Sequence, residues 1–427
     1  MHKIEIELEK RILILDGAMG TMVQKYQLEE DNYRNDFLNN HHIELKGNTD
    51  ILNLTEPEII RSIHLEYLKA GADIISTNTF GANAISQADY DTSKLVWDIN
   101  KEGAILARNA IDDFMNLDSS QPRFVAGAIG PTTKLASMSS KMNDPGYRDI
   151  TFDELVKAYT EQANALIEGG IDLFLLETIT DTLNAKAAIF ALMTIFEEIE
   201  RGFPIMVSAT ITDQSGRVLS GQTLEAFMIS ISHAPILSIG LNCALGAEEL
   251  RPYVQILNKE SQFPISVHPN AGLPNEFGEY DQTVEEFSEL ILEFASNGWI
   301  NIAGGCCGTT PQHIEVTANK LRNLTPRYNY IQSKSKKNQT TPAIKELINN
   351  WKNNPSNHPQ PTFKLRELMD LVSKIEDYST LKDTKSCFEK EQNKYHSEQA
   401  MLLNAHFFGR YQYLRVKNKL EIKAKLK

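Results

Sequence analysis

Two cysteines stand side by side in the segment "NIAGGCCGTTPQHI", in a chain with four cysteines among 427 residues. Cys306 and Cys307 suit each other poorly as a disulfide, because consecutive Cα atoms lie about 3.8 Å apart. A relaxed disulfide prefers roughly 4.4–6.8 Å. The pair is therefore a coincidence, a buried pair of small side chains, or two thiolates directed at one metal ion. The third interpretation requires at least one more ligand from elsewhere in the chain.

Short apolar segments rich in Ile, Val, Leu and Phe recur through the first 305 residues, and each is followed by small or polar residues. They are "RILILDGAMG", "ADIISTNTF", "RFVAGAIGP", "IDLFLLET", "PIMVSATIT", "ILSIGLNCALG", "PISVHPNAG" and "WINIAGGCCG". Helical periodicity in the intervening stretches, such as "EIIRSIHLEYLKAG", predicts right-handed βαβ units. Eight such units predict an α/β fold, a (β/α)8 TIM barrel. An open doubly wound sheet is the alternative, but "DGAMGT" lacks the glycine spacing of its phosphate-binding loop.

A barrel places the residues that follow its strands on one rim, where barrel enzymes carry out their chemistry. The candidates that follow strands one, four, six, seven and eight are Asp16, Glu177, Cys243, Asn270, and the pair Cys306 and Cys307. Cys243 is 63 residues from Cys306 in sequence, but it lies only two strands away around the ring. Three thiolates can therefore converge on one ion.

Three thiolates suit Zn²⁺ better than a hard, oxygen-seeking cation, and they leave one of its four positions open for a ligand. Such a zinc can hold an incoming thiol as a thiolate near neutral pH, which predicts activation of a sulfur nucleophile. Asp16 and Glu177 would then recognise a substrate ammonium group, and backbone N–H groups of "DGAMG" its carboxylate. The structural alternatives are buried small cysteines, a turn cap at Asp16 and a salt bridge at Glu177. Cys387, in "TKSCFEK", is interpreted as an ordinary thiol.

Composition narrows the function classes. Hydrophobic residues make up 41% of the chain and charged residues 23%, as in globular proteins. The net charge of −13 argues against nucleic-acid binding. The sequence has no apolar run of the roughly 18 residues that a membrane span needs. With few cysteines and no export signal in "MHKIEIELEKRILILDG", we expect a cytoplasmic protein.

The charge is unevenly distributed along the chain. Counting Lys and Arg against Asp and Glu gives about −22 for residues 1–330 and about +9 for residues 331–427. A stretch rich in Lys, Asn, Ser and Pro marks the change and reads as a linker. The sequence therefore predicts a barrel over residues 1–328, a linker over 329–362, and a basic, partly helical or disordered tail over 363–427.

Residues from about 8 to 328 resemble the homocysteine S-methyltransferase domain, and specifically the N-terminal module of cobalamin-dependent methionine synthase. The resemblance rests on "LDGAMGTM", "ELKGNTDILNLTEP", "AGADIISTNTF", "MNDPGYRDITFDEL", "LLETITDTLNAKAA", "TITDQSGRVLSGQT", "GLNCALGAEELRPYV", "HPNAGLPNEFGEYD" and "GGCCGTTPQHI". It implies a (β/α)8 barrel in which Cys243, Cys306 and Cys307 bind zinc. It also implies that Asp16 and Glu177 hold the amino group of L-homocysteine. It further implies that Gly17, Ala18 and Thr77 lie near the substrate. Asn270 is implied to occupy the zinc position before the substrate arrives.

The implied reaction moves a methyl group from methylcobalamin to the homocysteine thiol, giving methionine and cob(I)alamin. Residues 331–427 do not resemble the folate-binding, cobalamin-binding or reactivation modules of the synthase. We therefore expect the methylcobalamin to be carried by a separate cobalamin- or folate-binding subunit, in a split or truncated form of the enzyme. One alternative is a self-sufficient enzyme that uses betaine or S-methylmethionine as donor. A second is a non-catalytic fragment that binds zinc and thiols.

Overall fold

A ring of eight parallel strands forms the centre of the computed structural model, which describes residues 2–36, 38–212 and 215–327. The strands are β1 (Leu13–Ile14), β2 (Ile74–Ser76), β3 (Phe124–Ile129), β4 (Leu173–Ile179), β5 (Ile205–Ala209), β6 (Ser238–Gly246), β7 (Ile265–Asn270) and β8 (Ile302–Ala303). The predicted linker over 329–362 and the predicted tail over 363–427 lie outside the described residues. The boundaries between these regions and the barrel remain predictions.

The strands follow one another around the ring in the order β1-β8-β7-β6-β5-β4-β3-β2, and all pairs are parallel. A parallel bridge between Leu15 and Ile74 joins β1 to β2. The Asp16 N–H donates to the Ile74 carbonyl at 2.9 Å, and the Asp73 N–H donates to the Ile14 carbonyl at 2.7 Å. These bonds close the ring, which confirms the predicted TIM barrel and excludes the open sheet.

Apart from α1, which precedes β1, the helices follow the strands and lie on the outside of the ring. Those of the described residues are α1 (Lys3–Leu8), α2 (Met19–Gln24), α3 (Leu52–Thr55), α4 (Pro57–Lys69), α5 (Ala84–Gln87), α6 (Val96–Leu117), α7 (Phe152–Gly169), α8 (Thr182–Glu198), α9 (Leu224–Ile231), α10 (Ala247–Glu260), α11 (Val284–Ser296) and α12 (Pro311–Leu321), with short 3-10 helices at Glu30–Tyr33, Thr49–Ile51, Ala88–Tyr90 and Ser93–Leu95. None is long and apolar enough to cross a membrane.

Local signals in the sequence explain where these helices begin and end. The Thr151 hydroxyl accepts from the Glu154 N–H at the start of α7, and the Glu154 carboxylate accepts from the Thr151 N–H. This reciprocal pair satisfies two donors that the first helical turn leaves free. Gly170 ends α7 with φ of +95°, a conformation that costs an L side chain energy and costs glycine little. The chain can therefore turn at once into β4.

Helix α1 closes the bottom of the barrel. Its Ile4 and Leu8 are 2% and 1% exposed and join the apolar cluster inside the ring. The other residues of that cluster lie in the strands or directly next to them: Leu13, Leu15, Ile74, Phe124, Ala126, Leu173, Leu175, Met206, Leu237 and Ile302. The core between strands and helices is a second, larger cluster. The rim is therefore carried by a ring that is packed on both sides.

We expect Leu8→Ala to lower the free energy of unfolding by about 3 kcal/mol, because it opens a cavity beneath the barrel that its neighbours can only partly fill. Ile6 lies on the same helix but is 40% exposed, so Ile6→Ala is the matched control and should cost under ~1 kcal/mol. Urea unfolding of both variants measures the difference. Equal losses would contradict the view that α1 seals the barrel.

His64 of α4 is fully buried, and neither of its ring nitrogens has a hydrogen-bond partner among the described residues. Burial lowers its pKa from 6.5 to about 4. Between these two values the unfolded chain binds the proton more readily, so the contribution to stability is complete above pH 6.5 and is lost as pH falls toward 4. At pH 5 the loss is about 2 kcal/mol, at ~1.4 kcal/mol per pH unit.

His64→Leu should therefore reduce the difference in unfolding free energy between pH 7 and pH 5. His42→Leu provides the control, because the His42 side chain is 69% exposed. Urea titrations at the two pH values test the expectation. It fails if wild type and His64→Leu lose the same stability on acidification.

Candidate active site

The carboxyl ends of β4 and β6 both depart from regular strand geometry. Between Leu176 and Ile179 the register of β4 slips by one residue against β5, and between Asn242 and Gly246 that of β6 slips by two against β7. The slips are bulges that contain three of the non-glycine residues with positive φ, namely Thr178 (+54°), Cys243 (+57°) and Ala244 (+56°). Each such residue costs about 1–3 kcal/mol and persists only when its surroundings hold it in place. The bulges re-aim the side chains of the rim.

The turn after β8 presents the other two cysteines and is bonded to the strands on both sides. The Gly305 N–H donates to the Asp16 carbonyl at 3.0 Å, and the Cys306 N–H donates to the Pro269 carbonyl at 2.7 Å. Gly308 has φ of +81°, and a Cβ added there would overlap the Tyr280 side chain. Only glycine fits this position, which explains one of the glycines around the pair.

The structure brings the three predicted thiols together. The sulfur atoms of Cys243, Cys306 and Cys307 all lie within 4.8 Å of one another, and those of Cys243 and Cys307 are 3.8 Å apart. Two thiolates bound about 2.3 Å from a tetrahedral zinc ion are themselves separated by about 3.8 Å. The trio is unbridged and partly exposed to solvent. In donor type and spacing it fits a single thiophilic metal ion.

The pKa values of the three thiols also favour a bound metal ion. Hydrogen bonds from the thiols of Cys243 and Cys306 lower the pKa of Cys307 to about 3. The same bonds, together with burial, raise the pKa of Cys306 well above its ordinary value. One thiolate is therefore shared by three sulfurs, because a second negative charge at this spacing is repelled. A divalent cation removes that repulsion and allows all three to ionise.

Asp16 and Glu177 provide two carboxyl groups beside the thiols. Asp16 is 3% exposed, and its carboxylate accepts from the Ser76 N–H at 2.8 Å and from the Ser76 hydroxyl at 3.0 Å. Burial raises its pKa to about 7. Burial likewise raises the pKa of Glu177 to about 8, and the neighbouring charges of Asp16 and Cys307 add to the shift. In the described part of the chain, neither carboxyl group forms an ion pair with Lys or Arg. A cationic group would lower both pKa values again.

Gly17 and Ala18 lie in the turn after β1, under Tyr67 and Thr309. A Cβ added at Gly17 would lie 2.7 Å from the Thr309 hydroxyl oxygen and 2.9 Å from the Tyr67 ring. The Ala18 N–H donates to the Thr309 hydroxyl at 3.3 Å, and its carbonyl accepts from the Tyr67 hydroxyl at 3.2 Å. The backbone of the "DG" turn is therefore held against the turn that carries the cysteines.

Thr77 and Asn270 differ in whether their side-chain polar atoms already form hydrogen bonds within the protein. The Thr77 hydroxyl accepts from the Ala128 N–H at 2.9 Å and pairs with the Thr79 hydroxyl at 2.6 Å, so it already serves the junction of β2 and β3. Asn270 ends β7, is 1% exposed, and its Oδ1 has no partner among the described residues. A buried oxygen without a hydrogen-bond partner is better suited to binding a substrate or metal ion than to a structural role. Contact of either residue with a substrate or metal stays a prediction.

Three residues of the site were missed at the sequence level. Ser76 binds Asp16, Asn242 bridges the two bulges, and the hydroxyl of Tyr280 bonds to Cys307 and helps to lower its pKa. Asn242 did carry a signal, because an amide in an apolar strand directly before a cysteine is unusual. Ser76 and Tyr280 stand out only once the ring is closed.

Fold and site together define a TIM-barrel protein with a three-thiol centre and two adjacent carboxyl groups at the catalytic rim. The model of the family described as homocysteine S-methyltransferase matches residues 13–321, which include every one of these groups. The chain therefore belongs to the homocysteine S-methyltransferase family and is a methyltransferase.

Solved structures agree with this fold. The metallated form of the homocysteine methyltransferase MmuM from Escherichia coli aligns over 74% of this chain and 99% of its own length, with a TM-score of 0.58 and 21% identity. Its oxidized form covers 72% of this chain and 96% of that chain, with a TM-score of 0.55 and 22% identity. Its apo form covers 74% and 98%, with a TM-score of 0.54 and 22% identity.

We expect Cys306→Ala to abolish retention of zinc while the barrel stays folded, because both apolar clusters lie away from the rim. The loss of affinity should exceed the roughly 10–100-fold that removal of an outer-shell partner costs. Competition with a chromophoric chelator measures the affinity, and circular dichroism measures the fold. Cys387→Ala is the control with an unchanged affinity. Unfolding of Cys306→Ala would instead make the metal a structural element.

Proposed function

We propose that this protein transfers a methyl group to the thiol of L-homocysteine, with zinc held by Cys243, Cys306 and Cys307 and with methylcobalamin as the donor. The observation that carries the proposal is the meeting of three thiols with two carboxyl groups that lack a cationic partner among the described residues. A zinc ion bound there would supply the Lewis acidity that keeps the substrate thiol ionised near neutral pH.

The carboxyl groups of Asp16 and Glu177 suit the ammonium group of the amino acid. Their pKa values, about 7 and about 8, mean that a bound cation draws them into the ionised form. Ser76 holds the Asp16 carboxylate by two hydrogen bonds, which orients it toward the rim. We propose that the backbone around Gly17 and Ala18 faces the carboxylate of the substrate. Thr77 would lie near the substrate, and Asn270 would lie beside the metal ion. These residues bind and orient the substrate, and none acts as an acid or base.

The surface around the site favours a large donor over a small one. Most of the exposed large apolar side chains of the described residues lie on loops or helix starts of this rim: Phe80, Met138, Met142, Leu183, Leu219, Leu273 and Phe277. Met142 and Phe277 are 98% and 83% exposed. Their concentration on the loops of one rim supports a surface that another molecule covers. A cobalamin macrocycle carried by a protein would cover them, whereas betaine would leave most of them in water.

We therefore propose that a cobalamin- or folate-binding methionine synthase subunit, as a separate chain, presents methylcobalamin to the rim. In this reaction the sulfur–methyl bond forms as the cobalt–methyl bond breaks. The electron pair of the broken bond stays on cobalt as cob(I)alamin, and the thiol proton is released to solvent. A reducing cytoplasm suits the chemistry, since three free thiols must persist.

Zinc-loaded protein mixed anaerobically with L-homocysteine and free methylcobalamin tests the proposal. We expect the cob(I)alamin absorption band to grow in step with methionine, and a mixture without homocysteine to remain flat. Methionine formed from betaine or S-methylmethionine, with a flat cobalamin trace, would show that methylcobalamin is not the donor. The proposed methyl transfer to homocysteine would then still stand. Binding of zinc and homocysteine with no methionine from any of the three donors would leave a non-catalytic fragment.

A further inference from the structure

The two bulges of the rim are linked by one side chain, although their strands are not neighbours. Strand β5 lies between β4 and β6 in the ring. The Asn242 amide of β6 crosses β5 on the inner face and reaches Thr178 of β4. Its Oδ1 accepts from the Thr178 N–H at 3.0 Å, and its Nδ2 donates to the Thr178 hydroxyl at 2.8 Å. A main-chain and a side-chain atom of the same residue are thus fixed together.

The strand in between is shaped to let this contact form. Ser208 of β5 has a small side chain, and its hydroxyl donates to the same Asn242 Oδ1 at 2.7 Å. The Thr210 hydroxyl donates to the Asn242 carbonyl at 2.9 Å. Asn242 is fully buried, and its amide oxygen and its carbonyl accept hydrogen bonds from β4, from β5 and from the residue directly after β5. A larger residue at 208 would block the crossing.

The residue that Asn242 holds is strained. Thr178 is β-branched and has φ of +54°, a combination that is rare unless the surroundings enforce it. The amide of Asn242 supplies that enforcement, because it binds the Thr178 N–H and hydroxyl at once. Glu177 directly precedes Thr178, and Cys243 directly follows Asn242. Relaxation at this contact would therefore move a carboxylate and a metal ligand together.

We propose that Asn242 is a positioning residue that locks the Glu177 bulge of β4 to the Cys243 bulge of β6, so that metal binding and amino-acid binding depend on a single buried amide. The inference rests on the proposed function, in which Cys243 binds zinc and Glu177 binds the substrate ammonium group. It adds the structural coupling between the two halves of the site.

The test compares Asn242→Ala with a matched buried asparagine at the other end of the barrel. Asn301 is fully buried as well, and its amide accepts from the Ile265 N–H at 2.9 Å and donates to the Arg327 carbonyl at 3.2 Å. Both substitutions remove buried hydrogen bonds and should lower thermal stability. Zinc affinity is measured by chelator competition. Affinity for L-methionine is measured by calorimetry at zinc concentrations that saturate every variant.

We expect Asn242→Ala to lower both affinities at least tenfold and Asn301→Ala to lower neither. Glu177→Gln serves as a reference that should lower only the affinity for L-methionine. A double variant, Asn242→Ala with Thr178→Ala, should bind L-methionine no more weakly than the worse single variant, since both act through one contact. In cobalt-substituted protein, Asn242→Ala should also shift the thiolate-to-cobalt absorption bands, which report ligand geometry.

The inference is overturned if Asn242→Ala behaves as Asn301→Ala does, with reduced stability and unchanged affinities. It is also overturned if only one of the two affinities falls, because the coupling would then be absent. Failure of the proposed function looks different: either the wild-type protein itself binds neither zinc nor L-methionine, or it binds both and forms no methionine from any donor.

Discussion

Closure of the strand ring is the constraint on which the rest of the structure depends. The bonds of β1 to β8 on one side and to Ile74 on the other leave the sheet without a free edge in the described residues. Parallel strands in a closed ring end on one rim, so groups far apart in sequence meet there. One hydrogen bond shows this directly. The Gly305 N–H donates to the Asp16 carbonyl and so holds the cysteine turn beside the residue that carries the carboxylate.

The rim gathers several features that are costly for the folded chain. Strained backbone at Thr178 and Cys243, two carboxyl groups with raised pKa values and three thiols sharing one charge all lie within a few residues of the strand ends. Each is unfavourable for the protein alone, and in the proposed function each would be relieved or used when a metal or a cationic substrate binds. The apolar ring beneath, closed by α1, supplies the stability that lets such a rim persist.

Family membership and the rim surface address different halves of the reaction. Membership in the homocysteine S-methyltransferase family concerns the methyl acceptor. We propose that the thiols and carboxyl groups of the rim form its binding site. We propose that the donor approaches the outer margin of the mouth, on loops where residues such as Phe80 and Phe277 are exposed. An acceptor site of fixed geometry beneath a broad apolar margin is compatible with a donor that arrives as part of a macromolecule.

The sequence by itself determined the barrel and the composition of its rim. The alternation of apolar and helical segments gives the number of strands, and Gly170 marks the end of a helix. The position of each candidate residue near the end of a strand assigns it to the common face. The tertiary structure decided how these groups are aimed. It placed Glu177 and Cys243 within bulged strands instead of after them, committed the Thr77 hydroxyl to β3, and revealed Ser76, Asn242 and Tyr280 as partners. The physical reason is that hydrophobic periodicity reports which face of a strand is buried. Bulges and polar contacts depend instead on hydrogen bonds between strands that are distant in sequence.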